Sequence, residues 1–380
     1  MLIEINSSII ESEDINNLSE EVVNALENLA LARREGKHSV ISDRETLSKL
    51  YQCPNLSKRA KDLYLYLFHH FTQFKIIRST VKKYVEVTNI NDAKLRTTLD
   101  QEIIQVPPSF FKDSTTIQKT ILLCENLQDC FFYEYIAKVC KLWKNHKNIY
   151  LSCEYHGGGG STISTEYTNI QSSNCARFCL CIVDSDRIAP NSSLGETARK
   201  LEREANEDCI FTHLLILELR EIENLIPPII LSELCLNQTD RQKALKIVED
   251  IIKTSNSDTK FYLDLKDGSY MEKIINCNYP QTKNFWSVKI KALSDIFNQV
   301  DSWCLSNWKC CNPNKCTCYI SLGFGEKILS NIVDRLQNKV NTKLSEHSLS
   351  KSIDDLHRIE WEKVGQIVID WCFAEPARRV

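Results

Sequence analysis

Three short apolar runs of this chain end in carboxylates. Lys119–Cys124 (KTILLC) is followed by Glu125, and Arg177–Val183 (RFCLCIV) by Asp184, Ser185 and Asp186. A third run, His213–Leu219, leads into Glu221 and Glu223. Near-continuous apolar runs of this length read as strands covered on both faces, and open α/β sheets bind ligands beyond the carboxyl ends of their strands. Residues two apart on an extended segment point the same way. Asp184 and Asp186 are therefore expected to face one site, as are Glu221 and Glu223 where the extended geometry persists. Hard oxygen ligands without histidine suit Mg²⁺ or Mn²⁺. Clustered acids repel one another, and a bound cation relieves that repulsion. Two such ions about 3.5–4 Å apart stabilise the attacking and leaving oxygens of phosphoryl transfer. Taken singly, each acid reads as a helix cap or a turn residue. The ordered set carries the expectation of phosphodiester chemistry.

Other features stand beside that set. Glycine is scarce, ten in 380 residues, yet Gly157, Gly158, Gly159 and Gly160 are consecutive. Their N–H groups could approach a phosphate, or the run could make a tight turn between strand and helix. Lys266, in DLKDG after an apolar run, could stabilise developing phosphate charge or be an exposed turn lysine. Cys304, Cys310, Cys311, Cys316 and Cys318 place five thiols within fifteen residues, among Asn312 and Pro313. Four of them could hold a structural zinc, one of the adjacent pair Cys310 and Cys311 being spare; the alternative is clustered free thiols. Cys175, Cys179 and Cys181 read as small core residues, and His69, His70 and His156 as structural. No Walker motif is present, since GFGEK at Gly323–Lys327 lacks the spacing.

The elements around these residues set the fold class. Residues 1–115 read as mostly helical, from the apolar spacing in Glu20–Arg34 and Lys58–Arg78. Pro107 and Pro108 interrupt that pattern. Residues 116–230 alternate apolar runs with helical stretches, which implies a mainly parallel sheet in an α/β domain. Residues 231–380 read as mostly helical, with FYLDLKDG (Phe261–Gly268) and the cysteine segment as exceptions. The expected architecture is a central α/β domain between helical N- and C-terminal regions.

Composition narrows the function classes. The net charge of −3 excludes a generally cationic nucleic-acid coat but not a metal-dependent nuclease. Residues 51–100 hold nine Lys and Arg against four acids, interleaved with Tyr64, Tyr66, Phe68, Phe71 and Phe74. They read as an amphipathic helix with its aromatics in the core, or as a nucleic-acid face. No signal peptide and no run of about 20 apolar residues is visible, so a cytoplasmic protein without a membrane partner is expected. Seventeen cysteines there argue for buried thiols or metal ligands rather than disulfides.

The motifs together resemble the Toprim family. LLCENLQDCFFYEYI (Leu122–Ile136) is similar to its strand, Glu, usually Gly, two residues, Asp and helix; here Asn126 stands at the glycine. CEYHGGGGSTI (Cys153–Ile163) resembles the glycine-rich turn of the second strand, and CIVDSD (Cys181–Asp186) the DxD strand. REIENLIP (Arg220–Pro227) resembles the Glu-rich motif of Toprim nucleases of the overcoming-lysogenization-defect group and related bacterial phage-defence effectors. The resemblance implies a Mg²⁺- or Mn²⁺-dependent nuclease. Glu125 would be metal ligand or acid/base, Asp184, Asp186, Glu223 and Glu221 would hold metal, Asp129 would support them, and Lys266 would be the lysine of the group. It also implies a nucleic-acid substrate and a separate ATPase or sensor partner, which could hold the chain inactive in the manner of a toxin. A homo-oligomer is compatible with it. Toprim domains serve topoisomerases and primases too, and these remain the alternative chemistry.

Overall fold

The computed structural model describes the chain except residues 12–14, 145–148, 173–176, 236–237, 278, 298–299, 301, 310–317, 339–341 and 379–380. The fold is mixed α/β and divides into two compact units. Unit 1 comprises Met1–Cys181, Glu204–Leu214 and Lys363–Val380; unit 2 comprises Ile182–Arg203 and Leu215–Glu362.

Unit 1 opens with a sheet that the helical periodicity of residues 1–115 does not disclose. Strands β1 (Leu2–Ile5), β2 (Ser39–Ser42), β3 (Lys83–Val87), β4 (Lys94–Thr97) and β5 (Glu102–Val106) form it in the order β2-β1-β3-β5-β4. All pairs are parallel except β4 with β5. The central strands bury Ile3, Ile5, Val85, Val87 and Ile104, whereas β4 (KLRT) is exposed throughout. Lys94 and Arg96 place charge on that edge, which discourages pairing with another chain. The expected helices are present at Glu20–Arg34, Lys58–His69 and Phe71–Arg78. Tyr64 is fully buried and its hydroxyl donates to Leu26 O at 2.8 Å, so this aromatic is core.

The second sheet holds β6 (Thr120–Cys124), β8 (Cys153–Gly157), β9 (Cys179–Val183) and β10 (Thr212–Ile216) in the order β10-β9-β6-β8. The intervening β7 (Tyr150–Leu151) pairs instead with a late strand. β6 runs parallel to β8 and to β9. Every residue of β6 and of β9 is buried, as a sheet covered on both faces requires. The helices Leu127–Trp143 and Ile163–Ser172 alternate with these strands. β9 and β10 carry the chain from unit 1 into unit 2.

In unit 2, β11 (Gly268–Tyr270) and β12 (Tyr319–Leu322) pair antiparallel among the helices. The helix Asp355–Cys372 then returns the chain to unit 1, where β13 (Phe373–Ala374) pairs antiparallel with β7. Within unit 1, Asp370 on that helix accepts from Lys82 N at 2.9 Å and from Gln366 Nε2 at 2.7 Å. Burial nonetheless raises its carboxyl to about 7. The folded state therefore binds more protons than the unfolded chain between roughly pH 4 and 7, and stability falls as pH rises through that window. Asp370→Asn keeps the acceptor and removes the ionisation. Urea titrations of the two proteins should diverge from pH 4.5 to 7.5, the wild type losing on the order of 2–4 kcal/mol more. Parallel pH profiles would show that Asp370 is not held protonated. Among the described residues, no helix is long and apolar enough to cross a membrane.

Candidate functional site

In unit 1, Glu125 follows β6 and is half-buried. Its carbonyl accepts from Gly159 N at 3.0 Å, and the Cys124 carbonyl from Gly158 N at 2.8 Å. Two of the four glycine N–H groups are thus committed to the end of β6. Gly159 and Gly160 have φ of 61°, and a Cβ on Gly158 would lie 2.4 Å from Ile163 Cβ. The tetraglycine meets a tight backbone demand beside Glu125. Asp129 is nearly buried, and its Oδ2 accepts from Asn126 N at 2.9 Å. The spacing Asn-x-x-Asp therefore acts as half of a capping box, starting the helix Leu127–Trp143 directly after Glu125. Asn126, the departure from the usual glycine, serves as the cap residue.

In unit 2, the extended geometry ends at Val183. Asp186 takes a left-handed φ of 54°, so the alternation expected along Asp184–Asp186 does not hold there. Backbone bonds stabilise this uncommon conformation: Asp186 N donates to Arg220 O at 2.8 Å, and Gly195 N to Ser185 O at 2.8 Å. Ser185 Oγ donates to Leu219 O at 2.6 Å. Gly195 is required as glycine, because a Cβ would stand 2.0 Å from Asp186 Oδ2. The turn sends the two aspartates to different surroundings. Asp184 Oδ1 accepts from Ile222 N at 2.8 Å, whereas Asp186 lines an open cavity.

The acids after β10 lie beyond the strand. Glu221 precedes a single helical turn, Ile222–Leu225, that carries Glu223. Both are buried, and both face one cation: Lys266 Nζ is 3.3 Å from Glu223 Oε2 and 3.9 Å from Glu221 Oε2. Those two carboxylate oxygens accept no hydrogen bond. Burial pushes the Glu223 carboxyl up to about 7, with Glu221 adding to the rise and Lys266 opposing it. For Lys266 the balance is reversed. Burial works against its charge, but Glu223, Glu221 and Asp184 outweigh it and hold the ammonium charged. The loop bearing Lys266 is fixed from outside, Phe324 N donating to Leu265 O at 2.8 Å and Gly325 N to Lys266 O at 2.9 Å. Lys266, Glu221 and Glu223 are thus brought together, with Asp184 close enough to act on the lysine.

Several supporting residues surround these acids. Arg220 bridges Glu221 at 3.0 Å and Asp264 at 2.9 Å. Both lie inside the quoted motifs REIENLIP and FYLDLKDG, so the signal was present. Deeper in, Asn224 Oδ1 accepts from Glu221 N at 3.0 Å, and its Nδ2 donates to Lys260 O and Leu263 O. The Lys260 ammonium is fully buried and reaches Asn224 O, Ile226 O and His357 Nε2. His357 Nδ1 lies 2.8 Å from Asp354, which assigns the proton to Nδ1 and leaves Nε2 to accept from Lys260. Burial pushes Lys260 down to about 7 and, with the lysine charge, His357 to about 4. Three acceptors match the three N–H bonds of an ammonium.

No family model, curated protein or solved structure matches this chain. Of the cysteine segment, Cys304 and Cys318 are buried with sulfurs 3.7 Å apart, while Cys310, Cys311 and Cys316 lie outside the described residues. Two thiolates on one tetrahedral zinc stand about 3.8 Å apart, and two reduced thiols in contact have a similar spacing. Among the described residues, no group of three or more His, Cys, Asp or Glu is placed to hold a metal ion.

Proposed function

We propose that the chain is a metal-dependent nuclease of Toprim type that hydrolyses nucleic-acid phosphodiesters. The observation that carries this reading is the set of buried carboxylates against Lys266. Glu221 and Glu223 each keep an oxygen without a hydrogen bond, and those oxygens share one positive neighbour. Buried acids of this kind are costly as a purely structural feature. A hard divalent cation would displace Lys266 from these oxygens and draw Asp184, Glu221 and Glu223, which are not set at ligand spacing in its absence, toward itself. Bound Mg²⁺ or Mn²⁺ would supply Lewis-acid stabilisation of the phosphoryl oxygens. Lys266, held charged at pH 7, would stabilise negative charge developing on the phosphate. The acid/base role of Glu125 follows from the sequence resemblance alone. A role in anti-phage defence beside an ATPase partner belongs to the same proposal.

Cation binding gives a direct test. A ligand that binds only the native state stabilises it by RT ln(1 + [L]/Kd). Saturating Mn²⁺ or Mg²⁺ should raise the melting temperature of the wild type by about 3–6 °C. The rise should largely vanish in Asp184→Asn/Asp186→Asn. An equal rise in both proteins would place the cation elsewhere.

A further inference from the structure

Asp186, whose backbone is left-handed, lines a cavity of about 410 Å³ in unit 2. That volume is within the range of small-molecule sites, roughly 300–1,000 Å³. One wall is formed by Asp186, Ile188 and the residues Ser192 to Gly195; the other by Lys273, Asn276, Cys277 and Tyr279. The walls are tied together by Trp286, whose Nε1 donates to Ile188 O at 2.7 Å. Pro280 starts the helix that bears Trp286, which fixes the chain directly after Tyr279. The cavity is therefore held by packing.

Its chemistry is mixed in a specific way. Tyr279 is 49% exposed, so its ring is available at the cavity rather than spent in the core. Asn276 offers an amide able to donate and accept. Lys273 is held by Asp264 at 3.1 Å and by Asp267 at 3.9 Å, yet remains half-exposed. An aromatic face, an amide edge and a cation match the parts of a nucleotide: base face, base edge and phosphate. We propose that this cavity binds one unpaired nucleotide of a single-stranded nucleic acid, its base stacked on Tyr279 and its phosphate directed toward Lys273. A base still paired within a duplex would not be free to enter, so the cavity selects single strands or unpaired ends. This inference rests on the nuclease reading for its substrate class, but its test does not require turnover.

Cys277 lines the same cavity and is half-buried, which makes it a reporter. The full chain is incubated in Ca²⁺ with a phosphorothioate oligothymidylate, and alkylation of Cys277 by iodoacetamide is followed by peptide mass spectrometry. The oligonucleotide should slow Cys277 alkylation in the wild type and in Tyr279→Phe. Tyr279→Ala should raise the concentration needed about 10–100-fold, as loss of one base stack implies, with an unchanged melting temperature. Free-rate alkylation in the presence of bound oligonucleotide would overturn the proposal, as would a Tyr279→Ala affinity equal to wild type. Equal protection by inorganic phosphate would reduce the cavity to an anion site, and equal protection by a duplex would remove the single-strand selection; either result overturns it. The two readings separate cleanly. Protection lost in Tyr279→Ala but no cleavage under any divalent metal leaves the cavity and sinks the nuclease. Cleavage without Cys277 protection does the reverse.

Discussion

Asp184→Asn is expected to slow metal-dependent cleavage of nucleic acid by about 10²–10³-fold while the protein stays folded. Asparagine keeps the oxygen that accepts from Ile222 N, so the link between the two acidic segments survives. What is lost is one negative charge beside Lys266. A metal held by fewer charged oxygens is bound more weakly and stabilises the transition state less, and several kcal/mol of that stabilisation is worth two to three decades of rate. Lys266 would also lose one of the three acids that hold it charged. Steady-state rates at saturating Mn²⁺, with a melting curve of the same sample, check this. A rate within a factor of about three of wild type would remove Asp184 from the site.

Lys260→Met is expected to produce the largest loss of stability, about 3–5 kcal/mol in urea denaturation. Methionine is similar in length and apolar, so packing is preserved. The change leaves Asn224 O, Ile226 O and His357 Nε2 without their buried donor, and each such group costs roughly 1–3 kcal/mol. The two carbonyls belong to the segment that carries Glu223. The same variant should therefore bind Mn²⁺ more weakly, even at temperatures where it is fully folded. His357→Phe serves as the control, since it removes the ring nitrogen but leaves both carbonyls their lysine. A Lys260→Met protein as stable as wild type would show that burial leaves the lysine uncharged and unneeded.

The sequence disclosed one part of the scaffold and hid another. Alternating strands and helices from Thr120 to Ile216 were legible because β6 and β9 are buried, nearly all-apolar runs followed directly by acids. The five-stranded sheet of unit 1 was not. Its strands are four or five residues long, and β4 (KLRT) has no buried residue to mark it. Strands that short carry too few alternations to stand out from the helical periodicity around them. Lys266 was singled out from its place after an apolar run, and it lies beside Glu221 and Glu223. The divergence of Asp186 from Asp184 was hidden, because a left-handed residue within DSD has no composition signal once the usual glycine is absent. The meeting of Lys260 with His357 was beyond reach for another reason. The two residues are 97 positions apart, and only the tertiary fold joins them.

The most direct test of the central claim is a digestion panel of plasmid, single-stranded DNA, RNA and tRNA. It compares wild type with Glu125→Gln in Mg²⁺, Mn²⁺ and excess chelator. Glutamine preserves the shape of Glu125 and removes its ability to carry a proton. Wild type should cut at least one substrate with a divalent ion, the chelator should stop it, and Glu125→Gln should be slower by about 10²–10⁴-fold. Cleavage that persists in chelator, or that proceeds equally fast in Glu125→Gln, would contradict the claim.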